Sequence, residues 1–211
     1  MPNKFYSQNK QDEYIYNRYF KEYDGDKTFL EIGADDGIRF SNCKFFEESL
    51  GWNGIAIEAR KPAYEKLKQN RNCICINAVL SDKEEETDFM ELKGYGLGLS
   101  GLVDKYDKRH LTRIESEKKN ENHIGSEIIK VKTVKLGDIL KEHNMNHIDF
   151  LSIDTEGSEL DILKTVDFNK ISINVITIED NYNDPKLTKF FIDKNYKLVQ
   201  QIKCDKIFEK F

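Results

Sequence analysis

The sequence predicts an α/β fold: a single domain with a mostly parallel central sheet and helices on both of its faces. Two observations carry this. Short apolar runs alternate with amphipathic stretches along the chain, and no repeat, linker or low-complexity tract divides the 211 residues. A chain of this length buries ~70% of its unfolded surface around one core. Alternating strands and helices in one core need right-handed crossovers, which cover both faces of the sheet.

Each element follows from its local pattern. Residues 11–23 carry Tyr14, Ile15, Arg18 and Tyr19 at helical spacing, giving an N-terminal helical segment within residues 1–26. Residues 27–32 read as a buried strand that runs, through FLEIGADDG, into a loop with two glycines and two aspartates. Residues 42–50 read as a helix stopped by Gly51, and GIAIE (54–58) as a second strand. Pro62 suits the first turn of a helix to Asn70, and CICINAV (73–79) reads as a third strand.

The alternation then breaks. Residues 85–92 and 127–134 read as two paired strands, and the charged insertion between them, residues 93–125, is too long for an ordinary connection. Excursions of this kind are lids, binding loops or disordered segments. From Leu136 the plan resumes: a helix to His143, the strand HIDFLSI (147–153), a helix from Gly157, the strand INVITI (173–178), a helix over 185–194, and strands around 196–202 and 206–211.

Composition narrows the function. The net charge of −5 comes from 38 acids and 33 bases interspersed along the chain, so no basic groove for nucleic acid is expected. Cys43, Cys73, Cys75 and Cys204 lack paired CxxC spacing and read as reduced core thiols. The first residues are polar, and no apolar run reaches the ~18 residues of a membrane span. A cytoplasmic protein without a membrane span is expected.

In a parallel α/β sheet, ligands sit beyond the carboxyl ends of the strands. Gly33-Ala34-Asp35-Asp36-Gly37 lies at such an end, where Gly33 allows a close backbone approach and Gly37 a positive φ. Asp35 and Asp36 would repel a pyrophosphate and tolerate a sulfonium. Glu58, at the tip of the second strand, suits the two ribose hydroxyls of an adenosine-containing cofactor, either NAD or S-adenosylmethionine. Asp35 stands where the dinucleotide fingerprint needs its second glycine, which favours the methyl donor. The rival readings are a nicotinamide-dependent oxidoreductase and a non-catalytic module that keeps the fold.

IDFLSIDTEGSEL places Asp154, Thr155 and Glu156 at the tip of the fourth main strand, where paired carboxylates perform general acid/base work. The bland alternative is that Asp154 or Thr155 caps the following helix and Glu156 favours its dipole. The next strand ends in Glu179-Asp180-Asn181. Asp154 with Asp180 and Asn181 offers oxygens suited to magnesium. A plain turn, with Glu179 or Asn181 facing the substrate, is the favoured reading.

FLEIGADDG, GWNGIAIEARKPAYEKL, INAVLSD and IDFLSIDTEGSELDIL, with SQNKQDEYIY before them, together resemble the FkbM-type S-adenosylmethionine-dependent O-methyltransferases. The resemblance implies the Rossmann-like class I methyltransferase fold. It implies that Glu31, Gly33, Ala34, Asp36 and Gly37 surround the methionine part of the donor, that Glu58 holds the ribose between Ala59 and Arg60, and that Ser81 and Asp82 lie near the adenine. Ser41 and Asn42 match a pair that contacts the donor. Asp154 and Glu156 match the motif near the reacting methyl, with Asp154 the candidate base, Glu156 its assistant and Glu179 the second choice. The implied acceptor is a hydroxyl of a sugar or another small molecule; apart from the resemblance, Tyr95, Tyr106 and His110 of the insertion read either as ordinary packing, which is the commoner case, or as contacts to a sugar ring. Asp35 departs from the asparagine of many members, and the insertion matches nothing in the family pattern.

Overall fold

The computed structural model describes residues 4–23, 27–94, 96–119 and 123–211. Its centre is a seven-stranded sheet in which apolar runs pair side by side. β1 (Thr28–Ile32) lies between β2 (Asn53–Glu58) and β8 (His147–Ile153), and β3 (Ile74–Asn77) flanks β2. On the other side come β9 (Ser172–Glu179), β11 (Asp205–Lys210) and β10 (Tyr196–Ile202). The pairs among β3, β2, β1, β8 and β9 are parallel, while β11 runs antiparallel to both β9 and β10. Chain order reverses between β1 and β8, so a crevice opens beyond their carboxyl ends.

Alternation along the strands packs both faces. Leu30 and Ile32 of β1 and Ile55 and Ile57 of β2 face α5 (Leu136–Glu142), α6 (Glu159–Lys164) and α7 (Pro185–Ile192), whose Leu140, Leu163 and Phe191 complete a hydrophobic core. Phe29 points the other way, into an aromatic cluster with Phe150, Trp52, Phe45 and Phe46 of α2 (Lys44–Leu50) and Ile15 of α1 (Gln11–Ile15). Ala56 meets Leu67 of α3 (Lys61–Asn70) on that same side. Helices therefore cover both faces, as expected. α7 shows why its residues start a helix: the Asp184 side chain accepts from Lys186 N–H, Pro185 opens the first turn, and Leu187 and Phe191 are buried one turn apart.

Two boundaries differ from the sequence reading. The first helix passes at Tyr16 into a π-helical turn, Tyr16–Phe20. The expected strand 73–79 is split: β3 ends at Asn77, Ala78 N–H bonds back to Glu58 O, and β4 (Val79–Leu80) joins a second sheet. That sheet has the order β4-β7-β5-β6, and β5 (Glu86–Gly94) pairs antiparallel with β7 (His123–Val134) as expected. The insertion is ordered over its described residues. It contains β6 (Gly101–Leu102) and α4 (Lys108–Glu117), whose Asp107 cap accepts from Arg109 N–H and whose inner face is His110 and Ile114. Two buried residues among ten, flanked by charges, hide this helix from a periodicity reading.

Candidate active site

The crevice is built from the β1 loop upward. Gly33 leaves β1 at φ 82, and a Cβ there would lie 1.8 Å from the Asp154 carbonyl oxygen, so only glycine lets the loops after β1 and β8 touch. Gly33 and Ala34 N–H both donate to Ile57 O, at 2.9 and 3.1 Å. Asp35 N–H donates to one Glu58 oxygen at 2.8 Å, and Arg60 N–H to the other at 2.9 Å. The Arg60 guanidinium spans Glu58 (3.3 Å) and Asp35 (2.5 Å). Burial pushes the Glu58 carboxyl up, against the Arg60 charge and the two N–H donors. The Gly33, Ala34 and Asp35 N–H groups that would cradle a pyrophosphate are thus already used, while the Glu58 oxygen that bonds Asp35 keeps a lone pair for a ribose hydroxyl.

A cavity of about 310 Å³ opens above this loop, within the range of small-molecule sites. Of the expected donor residues, Gly33, Ala34, Ser41, Glu58, Ala59 and Arg60 line it. Val79, Phe89 and Leu102 form an apolar wall beside Ala59 that suits a flat base; sequence reading missed them, although Phe89 sits on the paired strand that it found. Leu99, Ser100, Leu102 and Arg113 come from the insertion, which therefore walls this cavity.

Other expected donor residues do not reach the lining. Glu31 is buried beneath it, accepting from Ser41 Oγ (2.8 Å), Asn42 N–H (2.8 Å) and Arg71 Nη1 (2.7 Å). Arg71 also bonds Glu47, so Glu31 holds the loop from below through a buried charge network. Asp36 closes its own turn on the N–H groups of Ile38 and Arg39. Gly37 packs where a Cβ would strike Leu67 and Arg71. Asn42 donates to Ser152 Oγ at 2.9 Å. Ser81 N–H bonds Val134 O in the second sheet, and Asp82 pairs with Lys105, which also holds Asp161.

The carboxylates converge. One oxygen from each of Asp154, Glu156 and Glu179 lies within 4.8 Å of the others. Asp154 is exposed to the cavity; desolvation by the surrounding walls pushes its carboxyl up to about 7, helped by the charges of Glu159 and Asp205. Burial raises Glu156 and then Asp154 adds to it; burial raises Glu179, with Asp154 and Glu156 adding. Like charges at this spacing are relieved by sharing protons. The capping alternative goes to a different residue: Glu159 accepts from Thr155 N–H (2.8 Å) and Gly157 N–H (3.0 Å), leaving Asp154 and Glu156 for the cavity.

The alternative magnesium set of Asp154, Asp180 and Asn181 is not assembled. Asp180 is buried against Lys206 Nζ at 2.6 Å and accepts from Asp184 N–H at 2.9 Å, so its carboxylate is spent on structure. Asp180 and Asn181 instead line a second cavity of about 550 Å³, with Tyr106, His110, Arg109 and Tyr182. Glu156 and Glu179 belong to both cavities. The expected acceptor contacts fare unevenly. His110 is buried and Tyr106 is stacked on it, so neither ring presents a free pair of faces; Tyr95 lies outside the described residues.

A glycine-turned loop under a crevice, an acid at the tip of β2 and a carboxylate trio at the switch point of a mostly parallel sheet are features that fit a methyltransferase. The model of the methyltransferase FkbM domain matches residues 31–201, and the chain belongs to that family. No curated protein sequence matches the chain. Among solved structures, it is similar to M. capricolum TrmK in complex with S-adenosyl-homocysteine (13% identity, 92% of this chain and 65% of that one, TM-score 0.43). It is also similar to the N-terminal domain of human METTL16 (12% identity, 95% and 67%, TM-score 0.47). The human methyltransferase 10 domain containing protein is similar at 14% identity, over 95% and 78% of the two chains, with a TM-score of 0.43. The chain spans 65% of the length of the TrmK chain.

Proposed function

We propose that the protein is an S-adenosylmethionine-dependent O-methyltransferase acting on a hydroxyl of a sugar or another small molecule. The observation that carries this is the carboxylate trio at the border of two adjoining cavities: Glu156 and Glu179 line both, and Asp154 lines the one with the features of an adenosine site. When bound, S-adenosylmethionine supplies a methyl group made electrophilic by its sulfonium. The residues present suit that group: Glu58 for the ribose hydroxyls, the Val79, Phe89 and Leu102 wall for the base, and acids near the sulfonium.

The chain's own contribution is placement and proton removal. An acceptor in the second cavity has its hydroxyl near Glu156 and Glu179, on the border with the donor cavity. A sugar hydroxyl attacks well only as its proton leaves, and Asp154 near neutrality is poised to accept it. Mixed acids, an amide and Arg109 around that cavity offer both donors and acceptors to a polyhydroxy ring. A cytoplasmic setting is part of this reading, supported by four cysteines that stay free.

Steady-state kinetics with a panel of hydroxyl acceptors, with products read by mass, tests the assignment. Asp154→Asn is expected to lower kcat by ~10²-fold or more and leave donor affinity unchanged. An equal loss of donor affinity would move Asp154 from base to donor pocket.

A further inference from the structure

His110 has both ring nitrogens facing acceptors. Nε2 lies 3.2 Å from the Leu99 carbonyl oxygen, and because a carbonyl only accepts, Nε2 carries a hydrogen. The Tyr106 hydroxyl donates to the same carbonyl at 2.9 Å, and its ring stacks on the imidazole with centroids 4.6 Å apart and planes 15° from parallel. The imidazole is thereby locked, and its side chain is 1% exposed. Nδ1 then stands 3.4 Å from Glu156 Oε2.

That oxygen has no aligned hydrogen bond among the described residues, and the Glu156 side chain is 10% exposed. Glu156 is held at φ 59, in the left-handed region that side chains disfavour, with Gly157 after it at φ 123. With the Nε2 hydrogen fixed, the contact between Nδ1 and Oε2 is attractive only when one proton lies between them. Either a protonated carboxyl faces a neutral imidazole or a carboxylate faces an imidazolium; a bare lone pair against a bare carboxylate would repel.

We infer that His110 is a positioning residue acting through Glu156: the two side chains hold one proton in common, which orients Glu156 and gives the carboxylate trio an outlet for the proton of the acceptor. This rests on the methyl-transfer reading for its role, though not for the existence of the pair. In that role, the acceptor O–H bond breaks and its electron pair stays on oxygen, which forms the new C–O bond as the C–S bond breaks with its pair kept by sulfur. The proton goes to a carboxylate of the trio and, through Glu156, to Nδ1, leaving an imidazolium.

The surrounding charges set the resting form. Burial lowers His110, with Arg113 of α4 adding, while the Leu99 carbonyl and Asp107 oppose. Burial raises Glu156, with Asp154 and Glu159 adding, while Arg113 opposes. Lys105, Tyr106, Arg109, Glu179, Asp180, Tyr182 and Asp184 complete the titratable and charged lining of the cavity that both residues share. Both shifts favour a neutral imidazole facing a protonated carboxyl over the ion pair.

Nitrogen NMR of the imidazoles in the donor-free protein, which has four histidines, tests the pair directly. His110 is expected as the Nε2–H tautomer, and its protonation midpoint is expected to fall in Glu156→Gln, where no carboxylate remains to stabilise an imidazolium. An unchanged midpoint, or an Nδ1–H tautomer, overturns the inference. In kinetics, His110→Gln keeps a donor for Leu99 and loses Nδ1. It is expected to lower kcat about tenfold and shift the pH profile without changing donor KM. A wild-type kcat and pH profile in that variant overturns the role; if the variant fails to fold, the NMR result decides. A wild-type protein that ignores S-adenosylmethionine would sink the methyltransferase reading and leave the NMR result standing.

Discussion

Glu58 and Asp154 are two acids at strand tips that their surroundings set to different tasks. Glu58 is fixed by two backbone N–H groups and by Arg60, which makes it a rigid acceptor. Hydrogen bonds to a charged group contribute about 1.5–3 kcal/mol, so Glu58→Gln is expected to weaken donor binding about tenfold or more, read by calorimetry. Asp154 stands exposed in the cavity among other acids, and desolvation by the walls together with the charges of Glu159 and Asp205 pushes its carboxyl up to about 7 from 3.8, less as solvent screens it. The folded protein then binds the proton more tightly than the unfolded chain does. The stability from this group is complete below about pH 4 and is lost as pH rises through about 7. Asp154→Asn should therefore raise Tm by an increment that grows over that window and levels off above it. A Tm increment independent of pH would show that Asp154 is ionised in the resting site.

At the scale of elements, the Arg71 network is the hidden support of the donor loop. Its guanidinium joins Glu31 of β1, Glu47 of α2 and the carbonyl of Gly37, with no side-chain exposure. Glu47 is held below the usual carboxylate range: burial opposes ionisation, and the Arg71 charge together with Asn72 N–H outweighs it. Removing one partner of a buried ionic network costs about 3–5 kcal/mol. Arg71→Met is therefore expected to lower Tm by about 10 °C, measured by thermal denaturation. The insertion is a second case. Because Leu99, Ser100 and Leu102 wall the donor cavity, removing residues 94–122 is expected to cost donor affinity as well as acceptor use. What was legible in the sequence followed physical form. Buried parallel strands show as apolar runs, and Gly33 and Glu58 show by their places at strand ends. The Glu31–Arg71 partnership joins residues 40 apart, and Asp180 is claimed by Lys206, 26 residues on; neither spacing is local enough to read.

At the scale of the molecule, the reversal of strand order between β1 and β8 brings Gly33 and Asp154 into contact, and function follows from that junction. No helix among the described residues is long and apolar enough to cross a membrane. The crevice has spent its loop N–H groups on Ile57 and Glu58, lines its far side with acids, and so suits a cationic adenosyl ligand over a diphosphate. Calorimetric titration of the protein with S-adenosylmethionine, S-adenosylhomocysteine and NAD tests this most directly. The account predicts that both adenosyl compounds bind and NAD does not; binding of NAD with indifference to the other two would contradict it.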